Sequence, residues 1–448
     1  MLTLKRHQIS YDLYPKIVPV GKPVTFTLKY LDPDLLFGSK VHLDAVPINN
    51  IRRAPKWEDI EYEELTGDEK GFRFTLTPET EQEYLIYVKY EDDFRPTTML
   101  SFYAVEDDLL QRSPLVGDLH SHSYFSDGQE GPAAIAVECR RNGYDFTAIT
   151  DHFRREPSLR AVKAFEGVDI PFKVYPGEEV HPSHIYTHIV NFASDNSANA
   201  YVLKEHPLPQ KWPGKTETEA WQKELPETIA SLDDVPEGVE AKEIASAMIV
   251  SRVIREGGGM VIFAHPHWRY PMRNTNDTLS RYLIKKGIVD AVELTGGLRW
   301  DENQTQVAMF EEMFREEGID MPVVGSSDQH STMPGNYPGD RVCYFTESKT
   351  ILFAHENTRE GIIEAVKNHY SAAILQYVGE YPQVKGCNYR LNQYINFLLR
   401  EYLPLRNELY LTEGYLMREY LSGTPGAKER LERTVKDHEY FEKKYFLR

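Results

Sequence analysis

Cysteine is scarce: the 448 residues contain three, Cys139, Cys343 and Cys387, and no Cys-x-x-Cys pair. That excludes a disulfide framework and a thiolate zinc finger. Long apolar runs are missing too. Nothing approaches about eighteen consecutive apolar residues, so no membrane span is expected. The opening "MLTLKRHQISYDLYPKIVPV" has no apolar core of signal-peptide length. Positive charge is in short supply, with 51 Lys and Arg against 69 Asp and Glu and a formal charge of −18. Such a field repels polyanions and argues against long nucleic acid as a partner, although bound cations can reverse it locally for a small ligand. There is no internal repeat. A soluble protein in a reducing, cytoplasmic setting is expected.

What is present suffices for ordinary cores: 41% apolar and 12% aromatic residues, in a length that suggests two or three domains. Residues 1–112 read as strands, because "KPVTFTLKYL" and "FRFTLTP" alternate apolar and polar side chains between turn residues such as Pro19 with Gly21. A small antiparallel β-sandwich is expected there. Its histidines, His7 and His42, are isolated and read as structural or exposed.

Near "QRSPLVGDLH" the texture changes. Short apolar runs ("DFTAIT", "FKVYPGEEV", "THIVNF", "MVIFAH", "DAVELTG", "MPVVGSS") alternate with helical stretches such as "GPAAIAVECRRNG", which opens on a proline and closes on Gly143. This is the pattern of a parallel sheet covered by helices, long enough for a barrel over residues 113–375. Residues 194–240, rich in Pro, Lys and Glu and containing Trp212 and Trp221, break the rhythm and read as a cap over one end. From 376 to 448 the chain is helical in composition, an extension that would pack on the barrel or mediate oligomer formation.

Potential metal ligands collect at the ends of the apolar runs. "DLHSHSYFSDG" carries His120, His122 and Asp127, and an extended backbone points the two histidines to one side. "YDFTAITDHF" ends in Asp151 and His152, and "FKVYPGEEVH" in Glu178 and Glu179. "THIVNF" begins at His188, "GMVIFAHPHW" ends in His265 and His267, and "MPVVGSSDQHS" ends in Asp328 and His330. Five of these six clusters follow an apolar strand, and strand ends in a parallel barrel share one face. Imidazoles with carboxylates and no thiolate suit zinc, manganese or iron rather than calcium or magnesium alone.

"DLHSHSYFSDG", "AITDH", "PGEEV", "HIVNF", "AHP" and "GSSDQH", in that order, resemble the motifs of the polymerase and histidinol phosphatase (PHP) superfamily. The resemblance covers roughly residues 113–375, including "TREGIIEAVKNHYSAA", similar to the helix that closes the barrel in many members. It implies a distorted (β/α)7 barrel, two to three divalent transition-metal ions in a trinuclear site, and hydrolysis of phosphoesters.

By the same resemblance, His120, His122, Glu179 and Asp328 would hold one ion. Asp127, His152 and His330 would hold another, and Glu179, His188 and His265 the third. The Gly-x-Glu pattern starting at Gly177 assigns the ligand to Glu179 and leaves Glu178 as its neighbour. Asp118 and Asp151 read as supporting carboxylates. His330 or His267 would move a proton. Arg154 and Arg269, with Arg155 and Arg299 behind them, are candidates to grip an anionic substrate. His181 and His184 read as loop residues. The expected activity is that of a metal-dependent phosphoesterase on a small phosphorylated metabolite or nucleotide. Amide or lactone hydrolysis at the same centre, or a non-catalytic metal-binding scaffold, are the alternatives.

Overall fold

The computed structural model describes residues 4–31, 40–49, 63–66, 68, 71–90, 98–182, 185–204, 216–269, 275–333, 335–337, 341–343 and 345–448. Two compact units divide the chain. The first comprises residues 1–113, 388–412 and 433–448, and the second residues 114–387 and 413–432. The 73 residues after 375 are therefore shared between the units rather than forming a body of their own. No helix among the described residues is long and apolar enough to cross a membrane.

The first unit holds strands β1 (Tyr11–Tyr14), β2 (Ile17–Pro19), β3 (Val24–Tyr30), β4 (Lys40–Pro47), β5 (Glu63–Thr66), β6 (Phe72–Leu76), β7 (Gln82–Tyr90) and β8 (Thr98–Val105). They form a three-stranded sheet, β1-β3-β6, and a five-stranded sheet, β2-β8-β7-β4-β5. Alternation in β3 turns Val24, Phe26 and Leu28 inward, where Phe26 meets Phe74 and Phe102 at centroid distances of 5.4 and 4.5 Å. Every paired neighbour is antiparallel except β2 with β8, which run parallel. His7 bonds the carboxylate of Glu401 at 2.9 Å. The side chain of His42 lies outside the described residues.

The second unit is built on β9 (Ser113–Asp118), β10 (Phe146–Ile149), β11 (Lys173–Val180), β12 (Ile189–Phe192), β13 (Met260–Phe263), β14 (Ala291–Thr295) and β15 (Val323–Gly325). A hairpin of β16 (Gly335–Tyr337) and β17 (Arg341–Cys343) follows, then β18 (Ser348–Ala354), β19 (Ser371–Leu375) and β20 (Gln383–Lys385). Apart from the hairpin these make one ten-stranded sheet, ordered β15-β14-β13-β12-β11-β10-β9-β18-β19-β20. Strands such as "MVIF" and "AVELT" are buried along their whole length, as strands covered on both faces must be.

This sheet departs from seven parallel β/α units. Strand β12 runs antiparallel to both β11 and β13, and β18, β19 and β20 pair antiparallel in turn. The reversal at β12 has a simple cause: only residues 181–188 separate it from β11, fewer than the dozen or so that a parallel crossover needs.

The sheet curls back on itself. Thr350 on β18 exchanges hydrogen bonds with the backbone of Gly325 on β15, and the Ser371 hydroxyl donates to Val323 O. Just beyond the strands, Asp328 N donates to His120 O at 3.0 Å and His122 N to Gln329 O at 2.8 Å. The first and last strands of the run β9 to β15 are thus laced together at their carboxyl ends.

The described part of 194–240 is not a loose loop. Helices Ala198–Val202 and Glu219–Ala230 lie in it, and Trp221 is buried in the core formed with helix Ala241–Glu256. Trp212 lies outside the described residues.

Candidate metal centre

The carboxyl ends of β9, β10, β11, β13 and β15, with the start of β12, carry three groups of side chains that could hold metal ions. They are His120, His122, Glu179 and Asp328; His122, Asp127, His152 and His330; and Glu179, His188 and His265. All nine residues assigned from the motifs fall in these groups.

Local chemistry shapes each ligand strand end. After β9 the chain turns sharply at Gly128, where a Cβ would lie 2.1 Å from His122 O, so glycine is needed beside Asp127. Asp151 accepts from Ser123 N, Ser123 Oγ and Ser126 Oγ and pins that loop. Asp118 accepts from Ser327 N and Oγ and from His120 N, tying the first ligand loop to the last. His265 and Asp328 adopt positive φ, 26° and 46°, although neither is glycine. Strained backbone of this kind persists where the surroundings impose it, typically at functional sites.

The first group has the dimensions of a coordination shell. Four ligands held tetrahedrally at about 2.1 Å from zinc stand about 3.4 Å apart. Here His120 Nε2 lies 3.3 Å from both Glu179 Oε2 and Asp328 Oδ1. His122 Nε2 lies 3.3 and 3.0 Å from the same two oxygens, and 3.1 Å from His120 Nε2. In the second group Asp127 faces His122, His152 and His330 at 3.7, 3.5 and 3.3 Å. In the third, Glu179 Oε1 lies 2.7 Å from His188 Nδ1 and 3.1 Å from His265 Nε2. Glu179 therefore offers one oxygen to each of two groups. Its Oε2 and Asp127 Oδ1 are buried without a hydrogen-bond partner, although surrounded by imidazole nitrogens. Orphaned oxygens facing convergent nitrogens fit a cation between them.

Electrostatics agree. Burial raises the Glu179 carboxyl, but the imidazoles of His152, His120 and His188 outweigh it and hold it well below the usual range. Burial likewise opposes Asp127 and Asp328, which neighbouring histidines pull down. Burial lowers His152, yet Glu179 and Asp127 lift it to about 10. Burial dominates for His188, pushed down to about 4. The carboxylates favour positive charge among the imidazoles, which either protons or a cation could supply.

The two adjacent glutamates separate cleanly. Glu178, fully buried, accepts from Asn191 Nδ2, Ser197 Oγ, Ala198 N and Asn199 N, and so caps the helix Ala198–Val202. Its oxygens are committed away from the histidines.

Other residues singled out in the sequence stand apart from the three groups. His267 belongs to none of them: its Nε2 is 3.6 Å from Asp277 and its Nδ1 is buried without a hydrogen-bond partner. Arg154 is buried, and desolvation lowers its pKa. Arg269 is exposed, with its backbone N–H bonded to Glu302. Arg155 bonds Asp195 O, and Arg299 pairs with Asp301. His181 touches the centre, with Nε2 2.9 Å from His152 Nδ1 and its ring stacked on His188 at 4.2 Å. His184 lies outside the described residues.

Three contributors escape a motif reading. Glu293 on β14 bonds His120 Nδ1 at 2.7 Å. Buried Glu243 accepts from Tyr186 N, Thr187 N and Thr187 Oγ1 and holds the approach to His188. Trp268 lies against His265 and His188 at 5.5 and 5.9 Å between ring centroids. Only Glu293 left a signal: a lone carboxylate inside an apolar strand must have a partner.

No family model matches the chain. No curated protein matches it either. Among solved structures it is similar to a two-domain protein from Bacteroides vulgatus containing a predicted PHP-like metal-dependent phosphoesterase. Identity is 17% and the TM-score 0.40, over 59% of this chain and 66% of that one, just under two thirds. A Bifidobacterium adolescentis protein, assigned provisionally as a metal-dependent phosphoesterase, gives 20% identity and a TM-score of 0.33 over 51% of this chain and 92% of that one. An amidohydrolase from Chromobacterium violaceum with bound sulfate and no metal gives 18% and 0.31 over 51% and 90%. These are distant likenesses.

Proposed function

We propose that the second unit is a metal-dependent phosphoesterase of PHP type acting on a small phosphorylated metabolite or nucleotide. One observation carries this reading: the Nε2 atoms of His120 and His122 each stand 3.0–3.3 Å from Glu179 Oε2 and Asp328 Oδ1, and Glu179 turns its second oxygen to His188 and His265. Divalent zinc, manganese or iron held by the three groups would supply Lewis-acid polarisation of a phosphoryl oxygen and a water of lowered pKa.

The residues do the rest. Glu179, with one oxygen facing each of two groups, would hold both and tie one to the other. Asp127, His152 and His330 would hold a further ion, on the side where His330 is partly exposed. Burial lowers the His267 pKa, which favours the neutral imidazole, a form suited to accepting a proton from an attacking water; His330 is the other candidate to move a proton. Arg154 and Arg269 would orient the phosphate through charge-assisted hydrogen bonds. The test is metal content of the purified protein measured alongside turnover of phosphomonoester, phosphodiester, amide and lactone panels. Bound ions with phosphate release support the proposal; turnover confined to amides or lactones would replace it.

A further inference from the structure

Glu293 reaches two of the three ligand groups at once. It is fully buried on β14, where Oε1 lies 2.7 Å from His120 Nδ1 and Oε2 accepts the backbone N–H of His265 at 2.9 Å. His120 belongs to the group with Asp328, and His265 to the group with His188. Helix Trp300–Glu317 steadies the same corner: Gln306 donates to Glu293 O and accepts from His267 N.

Building on the metal-centre reading, we infer that Glu293 is a positioning residue that sets the tautomer of His120 and the backbone of His265 together. A carboxylate can only accept. Its bond to Nδ1 therefore places the proton of neutral His120 on Nδ1, leaving the Nε2 lone pair for the side where Glu179 and Asp328 stand. Its other oxygen holds His265 in its positive-φ conformation, so the two groups are registered to each other by one side chain.

The inference makes an unusual demand of the isosteric amide. In Glu293→Gln the backbone N–H of His265 can only donate, so it claims the amide oxygen. The NH2 then faces His120 Nδ1. His120 must accept there and carry its proton on Nε2, the atom needed by the ion. The variant closest in shape should therefore fail at the metal, while Asp127, His152 and His330 keep their arrangement.

The experiment compares wild type, Glu293→Gln and Glu293→Asp after loading with Zn2+, by elemental analysis and competition with a chromogenic chelator. Absorption spectra of Co2+-loaded protein report coordination directly, and thermal unfolding in chelator reports the metal-free fold. Glu293→Gln is expected to bind at least one ion about 10–100-fold more weakly, with altered Co2+ bands and a near-normal metal-free transition. At least one other ion should keep its affinity. Glu293→Asp, a carboxylate too short to reach both donors, should lose less. Wild-type ion count, affinities and Co2+ spectrum in Glu293→Gln would overturn the inference. If that variant does not fold, unchanged affinity in Glu293→Asp would do so. Wild-type protein that binds no ion would overturn the metal reading itself, a result visible before any substitution.

Discussion

Glu178 and Glu179 are adjacent in sequence and both fully buried, yet their replacement by glutamine should damage different properties. If Glu179 is the shared ligand, Glu179→Gln turns one of its two oxygens into an NH2 group that cannot bind a cation. Either Oε1, 2.7–3.1 Å from His188 and His265, or Oε2, 3.3 Å from His120 and His122, is lost. At least one ion should go, with a loss of affinity and activity above the roughly 10–100-fold typical of an outer-shell change. In Glu178→Gln the four donors from Asn191, Ser197, Ala198 and Asn199 remain, and an NH2 opposes two of them. A buried donor left without an acceptor costs about 1–3 kcal/mol. At roughly 2–4 °C per kcal/mol this lowers the Tm by about 2–12 °C. Elemental analysis and chelator competition read the first effect; thermal unfolding in chelator reads the second. Metal loss in Glu178→Gln with full metal in Glu179→Gln would refute the assignment of the shared ligand.

Asp127→Asn should weaken only the ion held with His152 and His330, so titration of metal-free protein would show one weakened step beside unchanged ones. Removing metal by chelation should lower thermal stability, since a ligand present at a hundred times its Kd stabilises by about 2.7 kcal/mol; an unchanged Tm on adding Zn2+ back would contradict this. Lys349, buried on β18, has its amine pushed down from 10.5 to about 8 by burial, against the opposing charge of Asp118. The folded pKa lies below the unfolded one, so the unfolded chain binds the proton more tightly and stability rises with pH between about 8 and 10.5. Lys349→Met should be more stable than wild type at pH 7 by at most about 3 kcal/mol, with the gap closing towards pH 10 in denaturant titrations. Trp221→Ala should cost about 3–5 kcal/mol, because this indole is buried in a core cluster; a loss below about 1 kcal/mol would return it to the surface.

Much of the centre was legible because ligand type and strand position travel together. His120 and His122, Asp151 and His152, Glu178 and Glu179 each sit where an apolar run ends, and a short run fully covered on both faces can end only at the rim of a sheet. What the local pattern does not carry is pairing. Nothing in "HIVNF" shows that β12 is reversed; the eight-residue connection does, and it must be measured between two strand ends that are themselves uncertain in sequence. The grouping of residues 388–412 and 433–448 with the N-terminal sheets rests on contacts hundreds of residues apart, such as Arg390 with Glu81 and Asp108. Glu293 is a lone carboxylate within the apolar run "DAVELTG", but its partners, His120 and His265, lie far from it in the chain.

The lacing of the two ends of the sheet bears on the order in which a ribosome delivers the parts. Glu179, His188 and His265 are all made before residue 266, so one of the three candidate groups is complete while the last strands are still untranslated. The other two must wait for Asp328 and His330. The same late segment supplies the N–H that grips His120 O and the carbonyl that receives His122 N. The earliest histidines of the centre are thus set in place by some of its latest residues. A chain stopped before Val323 would keep a lone three-ligand group on an unclosed sheet.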